Sequence, residues 1–263
     1  MGENWLKTYY IAYFDILGYK NFFDDKENDI LEFLNNMIHV CDETLFKADV
    51  NSSQYNSKFI VKTFSDNFII MLEAYENTND YAILQIYAKI LAQLQIQFLE
   101  EYRILVRGGI TKGEAYIDEN IVFGNGLIRA VTLESNAIFP RIVLDHDCFD
   151  KETCDNLCSN DNWLAKDEDE EYYVDYFRVP TLMADKKRFD TIRRNVIQLL
   201  RKYGKYNRSI KDRNKLLEAE KTISKYAWLL CKFNEKCISD KTAEIPFKLV
   251  LYYRTMKTEI QIL

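Results

Sequence analysis

Apolar positions along this chain follow two rhythms. Tyr9-Tyr10-Ile11-Ala12-Tyr13 is an unbroken apolar and aromatic run with the β-propensity of a buried strand. Phe59 to Phe64 and Phe68 to Leu72 form two further runs, and Ser65-Asp66-Asn67 between them supplies hairpin-type turn residues. Spacings of three and four take over in residues 28–47, where Ile30, Leu34, Met37, Ile38, Cys41 and Leu45 predict an amphipathic helix. The same rhythm returns in 80–102 through Ile83, Ile86, Tyr87, Ile90, Leu91, Leu94 and Phe98. Residues 104–113 then read as a strand, 114–118 and 121–123 as a hairpin across Glu119-Asn120, 127–135 as a helix and 138–144 as a strand. The order β-α-β-β-α-β is that of a split βαβ, ferredoxin-like α+β fold with a mixed sheet and flanking helices. Beyond residue 151, the acidic run 166–171 predicts a solvated loop before a strand at 172–177. Long helices are predicted over 184–203 and 212–238, with an alternating tail after Pro246.

Composition narrows this picture. A chain of 263 residues with 48% hydrophobic and 29% charged positions can bury a full core in one large domain or one domain with an appendage. Eight glycines and three prolines among 18 Tyr and 16 Phe predict long regular elements and few long loops. The net charge of −6 gives no global attraction for nucleic acid or an anionic membrane. The N-terminus lacks the basic and apolar regions of a signal peptide, and no apolar run reaches the roughly 18 residues of a bilayer span. Six cysteines in such a chain read as reduced thiols, so the expected location is the cytoplasm.

Two aspartates stand out where strands would run. Asp15 follows the first strand in Phe14-Asp15-Ile16-Leu17-Gly18-Tyr19, and Asp66 sits at the hairpin tip. A tip laid beside the first strand's end would bring two carboxylates together, and such a pair repels unless it shares a proton or a cation. Hard oxygen ligands of this kind suit Mg²⁺ or Mn²⁺ with substrate phosphates; the alternative is two aspartates that never meet.

These residues, with Phe64-Ser65-Asp66, Arg107 to Gly113, Phe123-Gly124 through Leu133-Glu134, and Ala137 to Ile142, resemble the successive blocks of class III nucleotidyl cyclases. Within that family they are most similar to the pyrimidine nucleotide cyclases of Pycsar antiphage systems, with a looser match at Lys225 to Leu229. The resemblance implies a cyclase catalytic domain over 1–178 and a C-terminal helical extension over 179–263. It implies two divalent ions held by Asp15, Asp66 and the Ile16 carbonyl, and a turn after Leu17, including Gly18 and Tyr19, that offers N–H groups to phosphates. It also implies a cytoplasmic homodimer with composite sites, UTP or CTP as substrate, a cyclic mononucleotide product, and a separate effector that reads the product. No membrane and no nucleic acid partner is expected.

The chain departs from the family as well. Ile128 falls where an asparagine orients the ribose, and Thr132 where an arginine meets the transition-state phosphate. Arg141, Arg129 and Arg107 are the replacement cations available, and Arg141 is the expected one. Lys62, four residues before Asp66, falls where the base edge is read, and a donor there suits the carbonyls of uracil. Phe64 would shape the base pocket, and Arg107 and Thr132 would complete the substrate-binding set. The readings that remain are a uridylate cyclase, a cytidylate cyclase, a degenerate cyclase-like module that binds nucleotide only, and another palm-type nucleotidyl transferase.

Other features carry weaker chemistry. His146, Cys148, Cys154 and Cys158 lack paired C-x-x-C spacing and read as a helix face rather than a zinc site. The basic stretch from Arg201 to Lys215 reads as a solvated connection, and Trp228 with Tyr226 and Phe233 as core or dimer contact.

Overall fold

The computed structural model describes residues 5–18, 35–36, 38–39, 59–75, 79–159, 163–179, 182, 185–203 and 212–246. Within these the chain forms two compact units, one built from 1–98, 104–137 and 141–179, the other from 99–103, 138–140 and 180–263.

The first unit is a mixed sheet with helices against it. Its long strands are β1 (Lys7–Ile16), β2 (Ile60–Phe64), β3 (Asn67–Glu73) and β4 (Val106–Ile117). Four short ones follow: β5 (Val122–Phe123), β6 (Ile142–Leu144), β7 (Leu164–Lys166) and β8 (Tyr172–Val174). The sheet order is β2-β3-β1-β4-β6-β8-β7, with β5 paired to β4. Only β4 and β6 run parallel. Helix α1 (Asp80–Gln97), α2 (Asn125–Asn136) and α3 (Lys151–Ser159) complete the unit. This is the α+β, mixed-sheet class expected.

The two faces of β1 differ. Tyr10, Ala12 and Phe14 are at most 1% exposed. On that side Phe14 stacks on Phe68 at 5.3 Å, and the Tyr87 hydroxyl of α1 donates to the carbonyls of Tyr10 (2.9 Å) and Ile70 (3.3 Å). Tyr9 and Ile11, on the other side, pack with Met71, Ala115 and Ala130, while Tyr13, Ile60, Ile69, Ile117 and Val122 around them are only partly buried. Helix α2 lies against this second side at glycine-to-glycine distance. A Cβ on Gly113 would stand 2.8 Å from the Gly126 Cα, closer than carbon atoms pack.

In the second unit, α4 (Lys186–Tyr203) and α5 (Arg213–Ser239) carry the core residues. Phe189 stacks on Phe233 at 5.5 Å and Trp228 on Phe139 at 5.8 Å, so Trp228 is a core residue. Segment Phe98–Tyr102 is a π-helix whose Leu99 and Glu100 carbonyls accept from the Asn195 amide, at 3.0 and 2.7 Å.

Several expectations need correction. Residues 114–117 continue β4, whose register with β1 runs unbroken to Lys7↔Ala115, and the same stretch forms the hairpin expected across Glu119-Asn120, with Tyr116 and Ile117 paired to Phe123 and Val122. The strand expected at 138–144 is reduced to Ile142–Leu144. Asp167 and Asp169 of the acidic run are not merely solvated, because they hold Arg141. The helical stretch 80–102 does have the length and a mean hydropathy of 1.2 that a membrane span requires, but 67% of that window is buried within the fold. The helix expected over 28–47 and the tail after Pro246 fall largely outside the described residues.

Candidate active site

Sheet register assembles the site. At the end of β1, Asp15 lies opposite Asn67 of β3 on one side and Arg107 of β4 on the other, and Asn67 in turn lies opposite Phe64 of β2. Phe64, Asn67, Asp15 and Arg107 therefore form one row across four strands, pointing to one face. The next row on that face holds Lys62, Ile69, Tyr13 and Gly109. Residues of β2 and β4 that are 43 positions apart, Phe64 and Arg107, thus share a row with a single aspartate.

The turn carrying Asp66 closes against the same strand end. Ser65 takes φ 57°, which tightens the turn to two residues, and the Ile16 N–H donates to the Asp66 carbonyl at 3.2 Å. Asn67 is pinned between the Tyr13 hydroxyl, which donates to it at 2.7 Å, and the Phe64 carbonyl at 3.2 Å. Burial and then the negative charges of Glu134, Asp15 and Asp66 push the Tyr13 phenol up. Both aspartates named from sequence are therefore at this corner of the sheet.

Its electrostatics centre on Arg107. The guanidinium donates to both oxygens of Asp15, at 3.1 and 3.2 Å, and lies 2.7 Å from the Glu134 carboxyl of α2. Burial and then the Asp15 charge drive the Glu134 carboxyl up to about 7, against the pull of Arg107. Glu134 was not among the residues singled out. Its signal was its place on the buried side of α2, four and eight residues after Ala130 and Gly126.

Other expected residues stand apart from this group. Arg141, expected as the transition-state cation, has a side chain only 3% exposed and is paired with Asp167 and Asp169. Arg129 is held by Asp145, at 2.9 Å from each nitrogen used. Of the three arginines considered, the one at Asp15 is Arg107. Lys62 donates to the Glu119 carbonyl at 3.0 Å, and Phe64 is 80% exposed. On α2, the Thr132 hydroxyl donates to the Ile128 carbonyl at 2.8 Å, and both residues face solvent, Ile128 at 64% exposure. Gly18 takes φ 80° in the turn after β1, but the neighbouring Leu17 N–H is used by the Leu105 carbonyl at 2.8 Å. Tyr19 lies outside the described residues.

Among the described residues no three acidic, imidazole or thiol groups converge as a metal-ligand set. A cation at this corner would draw on two carboxylates and a backbone carbonyl. The four residues weighed for zinc are placed elsewhere: His146 pairs with Glu171, Cys148 donates to the Lys112 carbonyl, and Cys154 and Cys158 lie in α3, buried and half-buried.

No family model matches the chain, and no curated protein matches it. Among solved structures, it is similar to the adenylyl cyclase CyaB from P. aeruginosa, at 14% identity over 64% of this chain and 94% of that one, with a TM-score of 0.48. An adenylate/guanylate cyclase/hydrolase from Silicibacter pomeroyi matches at 18% identity over 64% and 95%, TM-score 0.39. The catalytic core of a rhodopsin-guanylyl cyclase with converted specificity matches at 13% over 64% and 94%, TM-score 0.37.

Proposed function

We propose that this chain is a nucleotide cyclase that converts UTP to 3′,5′-cyclic UMP and pyrophosphate. The observation that carries the proposal is the row Phe64–Asn67–Asp15–Arg107 with Asp66 at its edge, which gathers the residues of three separate sequence blocks on one face of the sheet.

The donor set fits hard divalent cations. Two carboxylates, of Asp15 and Glu134, meet the Arg107 guanidinium, with Asp66 in the adjoining turn, and burial followed by the Asp15 charge raises Glu134. Asp15, Asp66 and the Ile16 carbonyl would hold two Mg²⁺ or Mn²⁺ ions. When bound, such ions lower the pKa of the ribose 3′-hydroxyl and neutralise the triphosphate. Arg107, already at Asp15, takes the cationic role toward the phosphates that the sequence had assigned to Arg141. Phe64 and Lys62 would border the base on the same face, with the lysine's donors suited to uracil O2 or O4. CTP is the runner-up substrate, since cytosine keeps one of those carbonyls.

The site would be completed by a second copy. Phe64, Ile121, Phe123 and Ile128 are each at least 49% exposed, beside the partly buried apolar face of the sheet. A head-to-tail homodimer would cover them and set each Ile128–Thr132 helix face against its partner. The product would act as an antiphage signal read by a separate effector. One observation favours a second reading, a module that binds nucleotide without turning it over: α2 presents an isoleucine and a self-bonded threonine where cyclases place an asparagine and an arginine.

Incubating the chain with each of the four NTPs and Mn²⁺, followed by mass spectrometry of the products, tests this directly. Cyclic UMP in excess over cyclic CMP is the expected result. Binding without product supports the second reading, and a dinucleotide overturns both. Light scattering of the same sample reads the dimer.

A further inference from the structure

The net charge of −6 conceals a segregation. Residues 1–179 carry 15 lysines and arginines against 32 aspartates and glutamates, whereas residues 180–263 carry 20 against 9. The basic excess has a shaped surface in α4. This helix buries Phe189, Ile192, Val196, Leu199 and Leu200, and exposes Lys186, Lys187, Arg194 and Arg201 on the opposite side. A shallow cavity of about 740 Å³ opens on it, bordered by Lys186, Lys187, Arg193 and Arg194, with Asp190 as its one acidic neighbour.

The charge on this face is not cancelled locally. Arg193 donates to the carbonyls of Ala243 and Glu244, and Arg194 to the Asp190 carbonyl (3.3 Å) and the Thr191 hydroxyl (3.0 Å). These acceptors are neutral, so they orient the guanidinium groups and leave their charge available. Among the described residues no carboxylate pairs with Lys186, Lys187, Arg194 or Arg201, whereas Arg188, on the inner side, is matched by Glu100 at 2.7 Å.

From this pattern we infer that the outer face of α4 binds the phosphate backbone of a nucleic acid. Lys187, Arg194 and Arg201 recur every seven residues, which places them on one side of the helix about 10.5 Å apart. Their span of about 21 Å corresponds to roughly six base-pair steps at about 3.4 Å each. A repeating polyanion meets such a row, while a single small anion meets one end of it. A membrane surface is the poorer occupant, because every large apolar residue of α4 except the half-buried Ile197 and Tyr203 is turned inward, and Tyr203 stacks on Tyr226, leaving little to insert between lipids. Contacts of this kind hold the backbone without reading bases. The binding is separate from the cyclase reaction proposed above and does not depend on it.

The test is fluorescence anisotropy of the full chain with a labelled 20-base-pair duplex of arbitrary sequence, RNA or DNA, between 50 and 200 mM salt. Neutralising three to four phosphates gives an expected slope of log K against log salt of about −3, and replacing one cation flattens it by about one. Lys187→Glu/Arg194→Glu/Arg201→Glu should weaken binding at least tenfold, and the milder triple glutamine variant should do so with unchanged melting. The inference is overturned if the duplex fails to bind at 50 mM salt, if either triple variant binds like the parent, or if only vesicles containing phosphatidylserine bind.

Discussion

Arg141 and Arg107 each face two carboxylates, and the settings of the two groups differ in a way that separates structure from chemistry. Arg141 and Asp167 have side chains 3% and 5% exposed. Their acidic partners are further held by backbone N–H groups, Glu168 to Asp167 at 3.0 Å and Glu171 to Asp169 at 3.4 Å. Arg107 sits in a wetter corner, 24% exposed, between Asp15 and Glu134. Glu134 has only Ser135 as an additional donor, at 3.3 Å, and its carboxyl rises to about 7. Both groups set one guanidinium against two carboxylates, but the first is complete in backbone donors to its carboxylates and the second is deficient in them among the described residues.

The strongest way to break the comparison is to remove the carboxylates from the deficient group. Asp15→Ala or Asp66→Ala should lower turnover of UTP by about 10³-fold or more, equivalent to about 4 kcal/mol of transition-state stabilisation, with circular dichroism unchanged. Full activity in either variant would end the two-metal reading.

Arg141→Ala attacks the complete group and should act on the fold instead. It strands the buried Asp167 carboxylate, at a cost of about 3–5 kcal/mol, visible as a lower melting temperature or urea midpoint. Turnover per folded molecule should persist. If turnover falls while stability does not, Arg141 has a role in the reaction that its buried pairing does not suggest.

The smallest effect sharpens the contrast through pH. Glu134 takes its proton near pH 7 in the folded chain, against an ordinary value of 4.5. Between those values the folded state holds the extra proton, so this group's contribution to stability is fully present below about pH 4.5 and is lost as pH rises through about 7. In metal-free protein, Glu134→Gln should flatten that decline and melt higher than the parent at pH 8, by about 1–3 kcal/mol. Parallel melting curves for parent and variant across the window would show that the carboxyl is not carrying this proton.

Much of this arrangement was legible beforehand because local rules speak for it. Apolar runs gave β1, β2 and β3, turn residues gave the Asp66 hairpin, and periodicity gave α1, α4 and α5. What could not be read was lateral register. Recognising Arg107 as the arginine beside Asp15 required knowing which residue lies opposite Asp15, and register is fixed by pairing across strands about 90 residues apart, not by local preference. The joining of Glu114 and Ala115 to β4 was missed for the same reason, since their ladder partners are Thr8 and Lys7 of β1. Glu134 was visible only as an acidic residue in step with Gly126 and Ala130, a pattern that gains meaning once α2 is known to lie on the sheet.

The closeness of α2 to the sheet has a consequence for how the site tolerates change. Gly109 gives Leu133 its place, and Gly113 and Gly126 meet backbone to backbone, with no atoms between that compression could adjust. The helix is thus seated on a hard stop, and Glu134 reaches Arg107 from the height that this stop sets. A single methyl group at position 113 would act like a shim under a lever, lifting a carboxylate that the new atom never touches away from its arginine.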